Sequence, residues 1–398
     1  MPIEREAGPA IPLSRWADRQ LKVLAKLTGS PRIAALDGPT MIGERGAAGN
    51  YVIRGKQSAG KGGSRIHPTA DGNWFALTIL REDDRHLLPA LVQDSDFDIH
   101  DNEAIAAAIL RSDSAGLLER GRALGLTVAT VDEEVQSPAV ELLVTGPRRD
   151  RPAGHRPVVL DLSAIWAGPL VGHLLWLAGA EVVKVENPNR PDLIRIDDPR
   201  IFDIVNQGKD SLALDLTRPD ERDSLIALIR KADFVIESSR VRALKQLGID
   251  ADALVREVPG LVWLSVTGHG VSGEPANWTG IGHDCGVAAG LARELMRVSG
   301  EPGYVGDALP DPLTGITAAI EGWRAYRSGE ARRIGFAMSA IAARALAEER
   351  AFDAALLDAE LAAWGAAIGR DFPRVVRRPM LGEVHPLGAD NAAWLARC

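Results

Sequence analysis

VVLDLSAIWAGPLVGHLLWLAGAEVVKVE (158–186) decides the fold. It opens on VVLDLS (158–163), an apolar run of strand length with a β-branched start, which predicts a buried strand. A Gly-Pro pair then opens GPLVGHLLWLAGA (168–180), apolar for long enough to form a core helix. EVVKVE (181–186) returns to strand. The alternation continues, with strands predicted at SLALDL (211–216), DFVIES (233–238) and LVWLSVTG (261–268) and helices at 218–231, 240–247 and 250–257. Strands that alternate with helices predict an α/β unit built on a doubly wound, mostly parallel sheet. In such sheets ligands bind beyond the C-terminal ends of the strands. Those ends fall at residues 163–168, 186–187, 238–240 and 267–270.

The preceding chain reads differently. SRWADRQLKVLAKLTG (14–29) has a Ser start, a Gly stop and helical spacing of Trp16, Leu21, Leu24 and Leu27. Residues 45–65 are rich in Gly and Lys. NWFALTIL (73–80) and LTVATV (126–131) predict strands around helices near 83–92, 102–111 and 113–124, so residues 1–134 are read as a smaller α+β domain. Residues 135–157 carry Pro, Gly and Arg without periodicity and are read as a linker. Residues 158–350 form the larger domain and 351–398 a helical C-terminal segment.

The 398 residues suffice for two domains, and 46% hydrophobic with 25% charged residues is the balance of a soluble globular protein. A net charge of −8 argues against nucleic acid or an anionic membrane as the main partner. Cys285 and Cys398 are the only cysteines, which excludes a disulfide framework and a Cys-based zinc site; no metal is expected. MPIEREAGPAIPL does not read as a signal peptide and no apolar run reaches membrane-spanning length, so the expected location is cytoplasmic.

Two glycine motifs fail on inspection. GKQSAGKG (55–62) has Gly where a P-loop needs Ser or Thr, and no helix pattern follows it. GHGVSG (268–273) follows a strand but leads into EPANWTG, which cannot be the helix of a dinucleotide site. Asp311, in YVGDALPDPLTGITAAIEGW (304–323), stands before Pro312 and an apolar run with helical spacing. This position predicts a helix N-cap.

From residue 156 the motifs resemble the class III CoA-transferases, a family that includes formyl-CoA transferase, carnitine CoA-transferase and α-methylacyl-CoA racemase. The resemblance runs through NQGKDSLALDL (206–216), ADFVIESSRVRALKQLGID (232–250), GLVWLSVTGHG (260–270), GHDCGVAAGLA (282–292) and GDALPDPLTGITAAIEGWRAYRSG (306–329), and RRPMLGE (377–383) resembles the family's closing motif. It implies a Rossmann-like large domain, a small domain and a homodimer. The family places its small domain after the large one, whereas here the similar sequence comes first, as in a permuted chain or a degenerate fusion.

By the same resemblance Asp311 is the carboxylate that attacks an acyl-CoA thioester. Asp284 is a candidate acid, and the CoA contacts are Trp166, Ala167, Leu214, Ser238, Ser239, Arg240, Gly268 and His269. Asn187, Ser238 and Gln246 depart from the family pattern, and Arg242 is a candidate to replace lost charge on the CoA phosphates. The implied reaction moves CoA from an acyl-CoA to a free carboxylic acid, with CoA thioester as substrate and no permanently bound cofactor. Two alternatives stay open: α-proton exchange by His283 and Asp311, as in the racemase branch, and acyl-CoA binding without catalysis.

Overall fold

The computed structural model describes residues 8–60 and 63–398. Lys61 and Gly62 of the failed P-loop, and residues 1–7 of the stretch read as lacking a signal peptide, lie outside the described residues. The strands are β1 (Ser64–Pro68), β2 (Trp74–Thr78), β3 (Thr127–Thr130), β4 (Val140–Arg148), β5 (Val158–Asp161), β6 (Glu181–Glu186), β7 (Asp210–Ala213), β8 (Phe234–Glu237), β9 (Val262–Thr267) and β10 (Glu330–Ala337). The first three form an antiparallel sheet, and the others form a seven-stranded sheet in the order β4-β10-β9-β8-β5-β6-β7.

The large sheet is parallel from β7 through β10, with β4 antiparallel to β10 at the edge. Numbered from β5, its parallel strands run 3-2-1-4-5-6, the Rossmann order, with the switch point between β5 and β8. Alternate residues feed cores on opposite faces: Val159, Ile236 and Leu264 pack into one, and Leu160, Val235 and Trp263 into the other. That is the strand periodicity of two expressed in packing.

The stretch read as a linker contains β4. Its residues are half-buried or exposed except Val144, Leu142 is 54% exposed, and Pro147 interrupts it. An edge strand needs no continuous apolar face and tolerates Pro, so it shows no alternation to read. β10 was also not foreseen. Register shifts after Glu330 and Arg333 break its alternation.

The packing also divides the chain elsewhere than at residue 134. Ile11, Trp16, Leu24, Met41 and Ile53 are buried in the same core as the helices Ala167–Leu177 and Pro310–Ser328. The smaller unit therefore begins near Gly63, where β1–β3 pack against the helices Glu82–Arg85 through Ser114–Ala123. Its other face meets Val287 and Ala288 at the end of the Gly282–Ala288 helix and Ala292 in the helix after it. The helix Met338–Ala366 is interrupted at Asp353, which leaves helical φ/ψ and caps the second half through its carboxylate to the Leu356 N–H, 3.0 Å. Among the described residues no helix is long and apolar enough to cross a membrane.

Candidate active site

A cavity of about 640 Å³ opens at the switch point, beyond the ends of β5, β8 and β9. Trp166, Ala167, Ser238, Ser239, Arg240, Gly268, His283 and Asp311 line it from the large sheet's side, Ser64, Thr78 and Leu80 from the small sheet's side, and Arg45, Tyr51 and Arg54 from the N-terminal segment.

Asp311 is the second residue of the helix Pro310–Ser328, whose N-cap is Leu309. It is not the N-cap that the Asp-Pro pair predicts. Leu309 is already helical, at φ −47 and ψ −38, so the helix starts before the pair and Pro310 takes the first position. The carboxyl group instead serves other elements. Its Oδ1 accepts the N–H of Ala167, first residue of the Ala167–Leu177 helix, at 3.3 Å. Its Oδ2 lies over Gly282, first residue of the Gly282–Ala288 helix, where an added Cβ would come within 1.9 Å.

Two long helices and a short one thus begin at this group. Their unpaired N–H groups and partial positive charge favour a negative charge there. Burial opposes them. Asp311 is only 7% exposed, and desolvation pushes its pKa up to about 7; Arg45 and the Ala167 N–H pull against it, while Asp307 and Asp284 add to the rise. At neutral pH both protonation states are populated. Such a group can act as a nucleophile without a strong base beside it.

Backbone strain surrounds the site. Ile165 sits at φ 71 and Ala308 at φ 46, in the left-handed region that disfavours residues with a Cβ. The Ile165 N–H is held by both oxygens of Asp192 at 3.1 Å, and Asp192 pairs with buried Lys184 at 2.9 Å. Lys184 in turn donates to the Ser163 carbonyl at 2.9 Å. The loop after β5 is therefore pinned from below by a buried ion pair.

Residues 156–361 match CoA-transferase family III, which covers half of the chain. The chain belongs to CoA-transferase family III. It is 31% identical over 208 residues to succinate–glutarate CoA-transferase of Agrobacterium fabrum, across 48% of this chain and 52% of that protein. It is 32% identical over 206 residues to succinyl-CoA:mesaconate CoA-transferase of Haloarcula hispanica, across 45% and 50%. The chain spans about half the length of the curated relatives it matches. A solved Mycobacterium tuberculosis protein is similar at 28% identity and a TM-score of 0.45, covering 51% of this chain and 58% of that one.

Of the residues that the sequence points to in this family III member, eight share the cavity: Trp166, Ala167, Ser238, Ser239, Arg240, Gly268, His283 and Asp311. Four do not line it. Leu214 follows β7 at the sheet's far edge and is buried in the opposite core. Arg242 is exposed at the start of a short helix and does not line the cavity, whereas Arg240 does. Asp284 is fully buried; it accepts the Ile281 N–H at 2.8 Å and faces His269 Nε2 at 2.9 Å. A carboxylate at the third helical position folds back onto its own N-terminus, so Asp284 is used in placing the helix that carries Gly282 and His283. His269 is its buried partner.

Other residues at the site escaped the sequence reading. Arg45, from the helix Gly38–Ala48, donates from Nη1 to both oxygens of buried Asp307, at 2.9 and 3.0 Å. Asp307 also lies 3.6 Å from His283 Nε2. Burial would raise the Asp307 pKa, but Arg45 and His283 hold it below the usual carboxylate range. Arg45 lies outside the matched residues, and nothing in its glycine-rich surroundings marks it. Asp307 and Gly282 do stand beside recognised residues, in GDALPDP and GHD.

Gly282 carries a direct test. A methyl group there would collide with Asp311 Oδ2 and, at 2.6 Å, with the Ala308 side chain. Gly282→Ala should turn the carboxylate out of line while the helix itself gains a better helix former. We expect a loss of about 10- to 100-fold in turnover, with a lower melting temperature because the Ala308 backbone must also give way. Unchanged turnover would show that the Asp311 position is not critical.

Proposed function

We propose that the protein transfers CoA between carboxylic acids with Asp311 as the nucleophile. The observation that carries the reading is the Asp311 carboxyl group itself, buried in the wall of the cavity, at the start of three helices, and poised to ionise near neutrality. Family membership supports it, and the named relatives are CoA-transferases.

In this reading an Asp311 oxygen attacks the thioester carbonyl carbon. The C–S bond breaks, CoA leaves as thiolate, and an acyl–aspartyl anhydride remains. The thiolate then attacks the Asp311 carboxyl carbon, releasing the donor acid and leaving CoA as an aspartyl thioester. The second acid repeats the two steps in reverse and departs as its CoA thioester, which restores the Asp311 carboxylate. No step breaks a C–H bond, so no proton on Cα exchanges with solvent. Arg240 and Arg54, both exposed at the cavity, suit the CoA phosphates, and the small sheet takes the place of the family's small domain over the acyl group.

The deciding experiment mixes the protein with acyl-CoAs and free acids in deuterated water, followed by mass spectrometry. New thioesters without deuterium at Cα support transfer. Deuterium at Cα without new thioesters would instead assign the chemistry to His283 and Asp311, which share the cavity. The pH dependence gives a second check. Only the ionised carboxylate attacks, so kcat/KM for the acyl-CoA should rise about tenfold per pH unit below the Asp311 pKa of about 7 and level off above it. A profile flat from roughly pH 5 to pH 9 would contradict the raised Asp311 pKa.

A further inference from the structure

We infer that Arg45, contributed by the N-terminal segment outside the family match, is the docking group for the carboxylate of the free acid, and that it becomes available once Asp311 has lost its charge. The inference rests on the transfer reading for its place in the reaction and on geometry for the residue.

The three nitrogens of the guanidinium group are unequally engaged. Nη1 is committed to both oxygens of Asp307, and Nε lies 3.5 Å from Asp198. Among the described residues Nη2 has no hydrogen-bond acceptor, yet it is not sealed from solvent, and the side chain lines the cavity together with Asp311. A planar donor with two nitrogens engaged and the third open is oriented to receive one carboxylate oxygen. The orientation is fixed from several sides. The guanidinium stands 5.6 Å over the Tyr51 ring and 5.8 Å over that of Trp166. The next residue back, Glu44, is clamped by Arg378 through two contacts of 2.7 Å, and Arg378 also meets His173 Nε2 at 2.9 Å. Arg378 belongs to the C-terminal RRPMLGE segment, so both ends of the chain converge on the helix that presents Arg45.

The charge balance supplies the timing. In the free protein Arg45 faces Asp307, Asp198 and the Asp311 carboxyl group, all of which attract it. With Asp311 ionised, one cation faces three carboxylates, and an incoming anion would meet net negative charge. When Asp311 is converted to a thioester its negative charge is gone, while Arg45 stays fixed by Asp307. The local balance then shifts by one unit towards positive at the moment the acid must bind. An acid that arrives only after the donor has reacted cannot block the nucleophile.

Asp311→Asn reproduces the uncharged state without turnover, so the test can be made at equilibrium. Succinate is the probe and its diamide the uncharged control, measured by isothermal titration at roughly pH 8. Succinate should bind Asp311→Asn about tenfold more tightly than the wild type. To avoid leaving Asp307 buried and unpaired, Arg45→Gln is made together with Asp307→Asn in the Asp311→Asn background and compared with the same protein retaining Arg45. Loss of Arg45 should weaken succinate at least tenfold and leave the diamide unchanged, with near-ultraviolet circular dichroism confirming the fold. Equal succinate affinity with and without Arg45 would overturn the inference, as would equal affinity of wild type and Asp311→Asn. If the wild type proved inactive with every acyl-CoA, the transfer reading would fall, and the titrations would still decide whether Arg45 holds a carboxylate.

Discussion

Asp311→Asn is expected to remove CoA transfer and, at pH 8, to make the protein more stable than the wild type. The amide cannot form an anhydride, so turnover should fall by about a thousandfold or more. Stability should move the other way because of burial. The Asp311 pKa is raised to about 7 in the folded protein, against about 3.9 in an unfolded chain. The folded state therefore holds the extra proton between those values, and its stability declines as pH rises from roughly 4 to 7 and stays lower above that. An Asn carries no such penalty, and its oxygen can still accept the Ala167 N–H. The variant should gain roughly 2–4 kcal/mol above pH 8, and the gain should vanish near pH 4. Thermal unfolding across that range measures it. Equal stability of the two proteins at pH 8 would mean the carboxylate is not held at a desolvated site, and retained transfer without deamidation would end its role as nucleophile.

Asp161→Ala is expected to be among the most destabilising single changes in the large sheet. Asp161 ends β5, is fully buried, and holds Lys209 Nζ at 2.7 Å. Lys209 also donates to the Pro169 carbonyl at 2.8 Å and to Asn206 Oδ1 at 2.9 Å, and Asp161 accepts both the N–H and the hydroxyl of Ser163. Burial alone would raise the Asp161 pKa, yet Lys209 and Lys184 hold it below the usual range. Removing the carboxylate leaves an ammonium ion in the core with only neutral acceptors close by, at a cost of about 3–5 kcal/mol. Asp161→Leu with Lys209→Met should recover most of that loss, because it removes both desolvated charges. Denaturation midpoints in urea separate these outcomes. A single-variant loss below about 1 kcal/mol would show that the pair is not what holds the start of this loop.

Most of the large sheet was legible because its central strands are buried on both faces. β5, β6, β8 and β9 could be read from apolar runs alone, and the helices between them from length and Gly or Pro punctuation. β4 and β10 were not, since an edge strand and a bulged strand carry no clean period. The helix Gly38–Ala48 was missed for another reason. Its glycines lower helix propensity, and they are there for close packing: a Cβ on Gly46 would come within 2.6 Å of the Phe372 ring.

The sequence by itself determined the α/β class, the strand ends that line the cavity, and Asp311 as the residue to watch, because these depend on local periodicity and on motifs contiguous in the chain. Only the tertiary structure decided what Asp311 does with its carboxyl group, which accepts the first N–H of one other helix and lies against the start of a second. Only the tertiary structure brought Arg45 to Asp307 across 262 residues, and Arg378 to Glu44 across 334. Pairings of that kind have no spacing to read. They are selected by the desolvation of charges in the folded core, where a buried ion must find its partner wherever the chain has placed it.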